Sequence, residues 1–465
     1  MQSHQNTVVH ALQAKRFAYS LFLAISLSVS TTACSQQSSE QMNRLAPTSV
    51  KPVSPAYDPK LAHVETKYSQ DEIRQALLSG GAYIGNVVLD DLGRSQGDYD
   101  WVTGKWRQYE PAWHTGQAIF GLTEAYRVTG EQSLIDNAKR AADWWISLTY
   151  TDHPVLKGFL RAEHGDRVGD YINFTTISDG SNGVFELARE LNRLDYAQVA
   201  TDAGNWAIDN LYIKEEGLIY NIVDPETGEI WKDKSPHGQH NEDGKITLHE
   251  VARPNNEGYL FRDMYEFTGD ERHLEVHLAL CDSLVEKQDE FGLWLDYEPN
   301  NPALNRLHPR FNIWYAESLL RCEDYVQGKG YMEAAMRTMQ FMAKLQEINR
   351  LGELYYFQFT DVSNLEDSIT GSAVSFAALQ WMELKARTGT SEFDDNIKAA
   401  VQFVMENRFP EDHADENLRG GFLETRRKRR DGRFQIAVRG IATSFGLRFL
   451  SQYYRSFPEQ ANLQS

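Results

Sequence analysis

Residues 253–286, RPNNEGYLFRDMYEFTGDERHLEVHLALCDSLVE, decide the fold. A polar start (Arg253, Pro254, Asn255, Asn256, Glu257) opens an amphipathic run with Leu260, Met264 and Phe267 on one side. Thr268-Gly269-Asp270 ends that run, because Gly and Asp favour turn conformations at a helix end. A second run follows, with Leu274, Leu278, Cys281 and Leu284 or Val285 at helical spacing. The unit is a helix, a tight turn and an antiparallel helix.

The unit recurs on both sides of this stretch. Residues 111–128 pair with 133–148, 180–192 with 196–211, 309–326 with 332–345, and 368–387 with 393–407. A last apolar helix, 436–454, lacks a following partner, and a lone helix at 71–92 can supply it. One helical hairpin cannot bury its apolar face alone, so neighbours must stack. The first helices carry small residues (Gly116, Gly121, Gly183, Gly371, Ala377, Gly446) that suit a crowded inner ring. The intervals between them are uneven, which an open superhelix of regular repeats does not predict. The expected fold is all-α: an (α/α)6 toroid over residues 70–465, with small β-hairpin insertions at one rim. Those insertions are 217–231, 420–439 (turning at Asp431-Gly432) and the irregular 292–307.

The first residues read as a targeting segment. Lys15 and Arg16 precede a short apolar stretch, and Thr31-Thr32-Ala33-Cys34 follows. Residues 1–33 form the expected signal peptide. The pattern resembles a bacterial lipoprotein signal, which implies lipid attachment at Cys34; Thr31 departs from it, where that family usually has Leu. Ser35 after the cysteine points, on that resemblance, to an exported protein at the outer membrane, facing periplasm or exterior. Residues 34–69 are polar and rich in Pro and Ser, as a flexible tether is.

Composition leaves ample material for a core: 41% of the 465 residues are apolar. The formal charge is −19, and −21 without residues 1–33. An acidic surface argues against nucleic acid as a partner and leaves the anchor at Cys34 as the expected membrane contact. Cys281 and Cys322 both fall on apolar helix faces and are expected to be buried free thiols.

Each inner helix starts at the rim that carries the insertions, and each start is polar. His114 and Gln117 mark the first, Asp179 and Asn182 the second, Asn256 and Glu257 the third. His308, Arg310 and Tyr315 mark the fourth, Asp367 the fifth and Arg439 the sixth. Asp179, Asn255 and Asp367 are expected N-caps. Capping does not account for the His, Arg, Tyr and Glu beside them. Trp113 and Trp314 offer flat faces for sugar rings at the same rim.

With these features the chain resembles the (α/α)6-toroid carbohydrate-active enzymes: polysaccharide lyases, unsaturated glucuronyl hydrolases and related glycoside hydrolases. That resemblance implies a polysaccharide or oligosaccharide substrate, and two chemistries compete. In β-elimination from a uronate, Asn256 and Arg310 would neutralise the sugar carboxylate, His308 would be the base and Tyr315 the acid. Glu257 stands where some alginate lyases have His. In glycoside hydrolysis, paired carboxylates among Asp179, Glu257 and Asp367 would act across the ring. Elimination is the expectation; hydrolysis, uronate epimerisation and non-catalytic binding stay open. His114, Gln117, Asn182, Trp113, Trp314, Asp367 and Arg439 are expected to contact substrate. No metal or cofactor is expected, and His237, His240 and His249 read as a polar lid.

Overall fold

The computed structural model describes residues 57–162, 171–235, 245–254, 257–300, 307–347, 353–354, 368–428 and 434–458. The expected signal peptide, Cys34 and most of the expected tether, Asn255, Asn256, Asp367, His237, His240 and the turn expected at Asp431-Gly432 lie outside these residues.

Among the described residues, twelve helices of more than two turns form six pairs. They are α1 (Gln70–Tyr83), α2 (Pro111–Thr129), α3 (Gln132–Ile146), α4 (Phe174–Leu191), α5 (Leu194–Asn210) and α6 (Leu260–Thr268). The rest are α7 (Glu271–Lys287), α8 (Pro309–Glu323), α9 (Tyr331–Leu345), α10 (Gly371–Thr388), α11 (Asp394–Glu406) and α12 (Gly440–Ser456). The even-numbered helices form the inner ring. α12 packs on both α2 and α10, so the ring closes. No helix among the described residues is long and apolar enough to cross a membrane.

Three hairpin corners are built alike. Thr129-Gly130, Thr268-Gly269 and Thr388-Gly389 each end an inner helix. In each, the glycine takes a left-handed φ of about +70° and donates its N–H to the carbonyl four residues back, at 2.7–2.8 Å. The threonine hydroxyl donates to the carbonyl four residues behind it. This local chemistry folds each outer helix back on its inner partner.

Inside the ring, backbone meets backbone. A Cβ on Gly116 would overlap Gly180 O, and one on Gly183 would overlap Gly116 O, so α2 and α4 need glycine there. Between the rings lies the apolar core. Three of its largest side chains satisfy their indole N–H groups: Trp145 donates to Ala112 O (3.1 Å), Trp294 to Leu284 O (2.9 Å) and Trp381 to Met339 O (3.0 Å).

Several expectations are corrected. Cys281 on α7 and Cys322 on α8 form a disulfide, with Cα atoms 6.5 Å apart, where free thiols were expected. Adjacent helices bring the two apolar faces together, which a sequence separation of 41 conceals. Residues 436–439 are strand, so the last helix starts at Gly440. That strand, β5 (Phe434–Arg439), belongs to a five-stranded antiparallel sheet with β1 (Asp98–Asp100), β2 (Lys105–Arg107), β3 (Ser368–Thr370) and β4 (Leu423–Lys428), in the order β3-β4-β5-β1-β2. The expected hairpin is present as β4 and β5, but it is joined by strands from the other end of the chain. At 217–231, Leu218–Tyr220, Ile222–Val223 and the bridge from Val223 to Ile230 replace a simple hairpin. Asp179 is not a cap. α4 starts at Phe174, capped by Asn173, because the short strand Ile172–Asn173 pairs with Ile222–Val223 and sets the start earlier.

Candidate active site

The early start of α4 carries Asp179 into the ring, where it is 1% exposed. Trp113, near the start of α2, donates its indole N–H to Asp179 Oδ2. One turn on, Gln117 Nε2 donates to Asp179 O (2.9 Å), and Gln117 Oε1 accepts from Arg448 Nη1 on α12 (2.9 Å).

Glu257 comes to the same place by a turn. Ser178 Oγ donates to Glu257 O (2.6 Å). Gly258 then adopts φ +64°, where a Cβ would overlap Asn182 Oδ1 and crowd Asp179 Cα. The Glu257 side chain is fully buried, and Arg253 Nη1 lies 3.2 Å from its Oε1. Burial pushes the Asp179 carboxyl up to about 7, against the Trp113 hydrogen bond and the Arg448 charge, and with help from Glu317. Burial pushes Glu257 up to about 8, against Arg253 and with help from the Asp179 charge. Two carboxyls that feel each other in a dry site resist losing both protons.

Aromatic groups enclose the pair. Trp113 and Trp314 meet edge to face at 5.9 Å, and the Trp314 indole also favours the ionised form of Asp179. Tyr315 stands edge-on to Trp294 (5.1 Å). Burial, and then the Glu257 charge, hold its phenol well above the usual tyrosine range, so it stays protonated. His114 packs against Tyr109 and Trp113 (5.0 and 4.9 Å).

Of the expected residues, Asp179, Glu257, Trp113, Gln117, Trp314 and Tyr315 therefore converge. His308 caps α8 as Pro309 at its first position requires, with its ring on Phe311 at 4.5 Å. Phe311 also carries the Arg253 guanidinium, 5.1 Å from its centroid. Arg310 lies over Trp113 (5.3 Å) but is tied to Glu424 (3.0 Å) and Ser372 Oγ (2.7 Å). Asn182 reaches across to Asp263 Oδ2 (3.2 Å) and joins α4 to α6. Arg439 is the last residue of β5, paired in register with Asp98. His249 packs on Tyr297 at 4.6 Å.

Four residues escaped sequence reasoning: Arg253, Glu317, Glu424 and Arg448. Each left a signal. Arg253 lies four residues before Glu257, and Glu424 is a lone acid before a run of cations. Glu317 and Arg448 each break an otherwise apolar or small-residue helix, in WYAESLL and FGLRFL. Arg448 is held 3.9 Å from the Phe120 ring and 4.9 Å from that of Phe445, and pairs with Glu317 at 3.3 Å.

No protein-family model matches this chain, and no curated protein matches it at a significant level. Solved structures do. The cellobiose 2-epimerase of Bacillus thermoamylovorans superposes with a TM-score of 0.61 at 14% identity, over 82% of this chain and 98% of that one. A D-mannose isomerase gives 0.59 at 11% identity, over 82% and 97%. The unsaturated glucuronyl hydrolase of Bacillus sp. GL1 gives 0.55 at 16% identity, over 82% and 96%. At such identities the likeness is one of fold: this chain is an (α/α)6 toroid, built like these carbohydrate-active enzymes.

Proposed function

We propose that the protein is a glycoside-processing enzyme in which Asp179 and Glu257 perform acid–base hydrolysis of a uronic-acid-containing saccharide. The carrying observation is the buried carboxyl pair, with its two members raised to about 7 and about 8. Near neutral pH one carboxyl retains a proton for the glycosidic oxygen while its partner can ionise and activate water. When Glu257 holds its proton, Arg253 loses its charge partner and becomes a receptor for a sugar carboxylate. Trp113 and Trp314 supply flat walls. Fold neighbours that include an unsaturated glucuronyl hydrolase and a cellobiose 2-epimerase support a saccharide substrate.

β-Elimination is the second reading. It is favoured by the protonated Tyr315 phenol close to Arg253 and Glu257. The tie between Arg310 and Glu424 makes Arg310 a poorer neutraliser of substrate. A uronate epimerase would use similar groups. Incubation with a panel of uronic-acid polymers and oligosaccharides separates these readings. New reducing ends without ultraviolet absorbance are expected. Absorbance from a conjugated unsaturated uronate would reassign the enzyme to elimination, and an inverted sugar centre without chain cleavage to epimerisation. Binding without turnover would leave a non-catalytic receptor.

Export with lipid attachment at Cys34 completes the proposal. The Cys281–Cys322 disulfide supports an oxidising compartment. Cys34→Ala should release the protein from membranes; unchanged partitioning would refute the anchor.

A further inference from the structure

Arg448 lies within α12 on the inner ring and is buried. The rings of Phe120, Phe445 and Phe376 surround its guanidinium, with centroids at 3.9, 4.9 and 5.9 Å. Taking a guanidinium and a carboxylate out of water is costly, and apolar side chains in place of a buried ion pair are often as stable or more so. Stability alone therefore gives little reason for a charge at this position.

Its contacts lead to the carboxyl pair. Arg448 Nη1 donates to Gln117 Oε1 (2.9 Å), and Gln117 Nε2 donates to Asp179 O (2.9 Å). Arg448 Nη2 pairs with Glu317 Oε1 (3.3 Å), which also accepts from Gln380 Nε2 (3.4 Å). This chain of contacts joins α4, α2, α12, α8 and α10. Beside it, Ser318 Oγ on α8 donates to Gly258 O (2.7 Å), next to Glu257. Gln117 and Asp179 adjoin Gly116 and Gly180, where the backbones of α2 and α4 touch. A glutamine amide can face either way round. A guanidinium only donates, so Arg448 fixes Oε1 toward itself and Nε2 toward Asp179 O.

Charge acts along the same chain. Burial holds Asp179 protonated; Trp113, Arg448 and Trp314 act against it, and the Glu317 charge acts with it. Burial also holds Glu257 protonated, against Arg253 and with the Asp179 charge. Arg321, the next cation on α8, is occupied by Glu383 through two bonds (2.6 and 2.9 Å).

We propose that Arg448 is a positioning residue for the acid–base pair: through Gln117 it fixes the turn of α4 that carries Asp179, and it sets its own positive charge behind that turn. The proposal rests on the acid–base reading of Asp179 and Glu257.

The test needs a readout that a packing role would not move. It is made in the Glu317→Gln background, which removes the titration of Glu317 and leaves no unpaired carboxylate when Arg448 is changed. Without the cation Asp179 ionises later, so the stability lost on its ionisation persists to higher pH. Arg448→Met should therefore raise the midpoint of the pH-dependent loss of urea stability by about one pH unit, and Arg448→Lys should leave it in place. On a uronate oligosaccharide that the parent turns over, the rising limb of kcat/KM should move up with it. Gln117→Met, which keeps the Arg448–Glu317 pair, should lower kcat about tenfold and leave the midpoint in place. Equal midpoints for Arg448→Met and Arg448→Lys, or full turnover in Gln117→Met, would overturn the proposal. A parent that turns over no saccharide would refute the hydrolytic reading instead, and the stability midpoints would still decide the role of Arg448. Should Arg448→Met not fold in that background, hydrogen exchange of Gln117→Met decides. Amides of residues 179–183 in α4 should exchange faster than in the parent, and unchanged exchange counts against the tie.

Discussion

Asp179 is held in a place that suits its protonated form, and that has a cost in stability. The ordinary values of Asp179 and Glu257 are 3.8 and 4.5, and the fold raises both. The stability these groups contribute is therefore fully present below about pH 4, and is lost as pH rises through about 7 and about 8. Urea titrations should show the protein weakening, on the order of a few kcal/mol, between about pH 4 and 8. In Asp179→Asn with Glu257→Gln that slope should flatten, because neither replacement has a proton to lose. Activity should move the other way. Asp179→Asn should reduce turnover by about 10²–10⁴ while the chain stays folded. Tyr315→Phe and His308→Ala should cost much less. The reverse ranking, measured as kcat/KM on one uronate substrate, would transfer the chemistry to the elimination set. The reaction should also slow as pH rises past about 8, when the pair no longer retains a proton.

Gly258 shows how an element sets the site. Its left-handed backbone turns the chain between Glu257 and α6, and its missing side chain lets Glu257 lie against Ser178 and Asp179. Gly258→Ala should destabilise the fold by about 1–3 kcal/mol and cut activity more than that loss of stability explains; thermal melting set beside residual turnover checks it. The elements themselves were largely legible. The Thr-Gly corners and the 3.6-residue spacing are local signals, so five hairpins and the closing pair could be read directly. What failed was non-local. The start of α4 depends on a strand partner some fifty residues on, and β5 on β1 near the other end of the chain. For that reason the sequence pattern makes Asp179 a cap, whereas it lies inside α4. Glu317 and Arg448 went unremarked because a single charge within an apolar helix resembles a solvated face until the ring buries it.

Across the whole molecule, the disulfide ties outer helix α7 to inner helix α8. Cys281→Ser with Cys322→Ser should lower stability by about 2–4 kcal/mol, read as a fall in denaturant midpoint that reductant reproduces in the parent. The closure of the ring reaches further. α12 is packed against α2, Tyr453 donates its hydroxyl to Val64 O (2.6 Å), and β5 adds to β1. The inner ring thus has an uncovered apolar flank until residues 434–456 have left the ribosome. Contacts between segments so far apart in sequence form late. A nascent polypeptide of this design exposes that flank throughout its synthesis. Ribosome-bound chains stopped before residue 434 should be cut readily by protease, and chains extended past residue 456 and clear of the exit tunnel should resist. Vectorial translation thereby gives this protein a built-in delay between being made and being folded, and a cell could use that interval to move it.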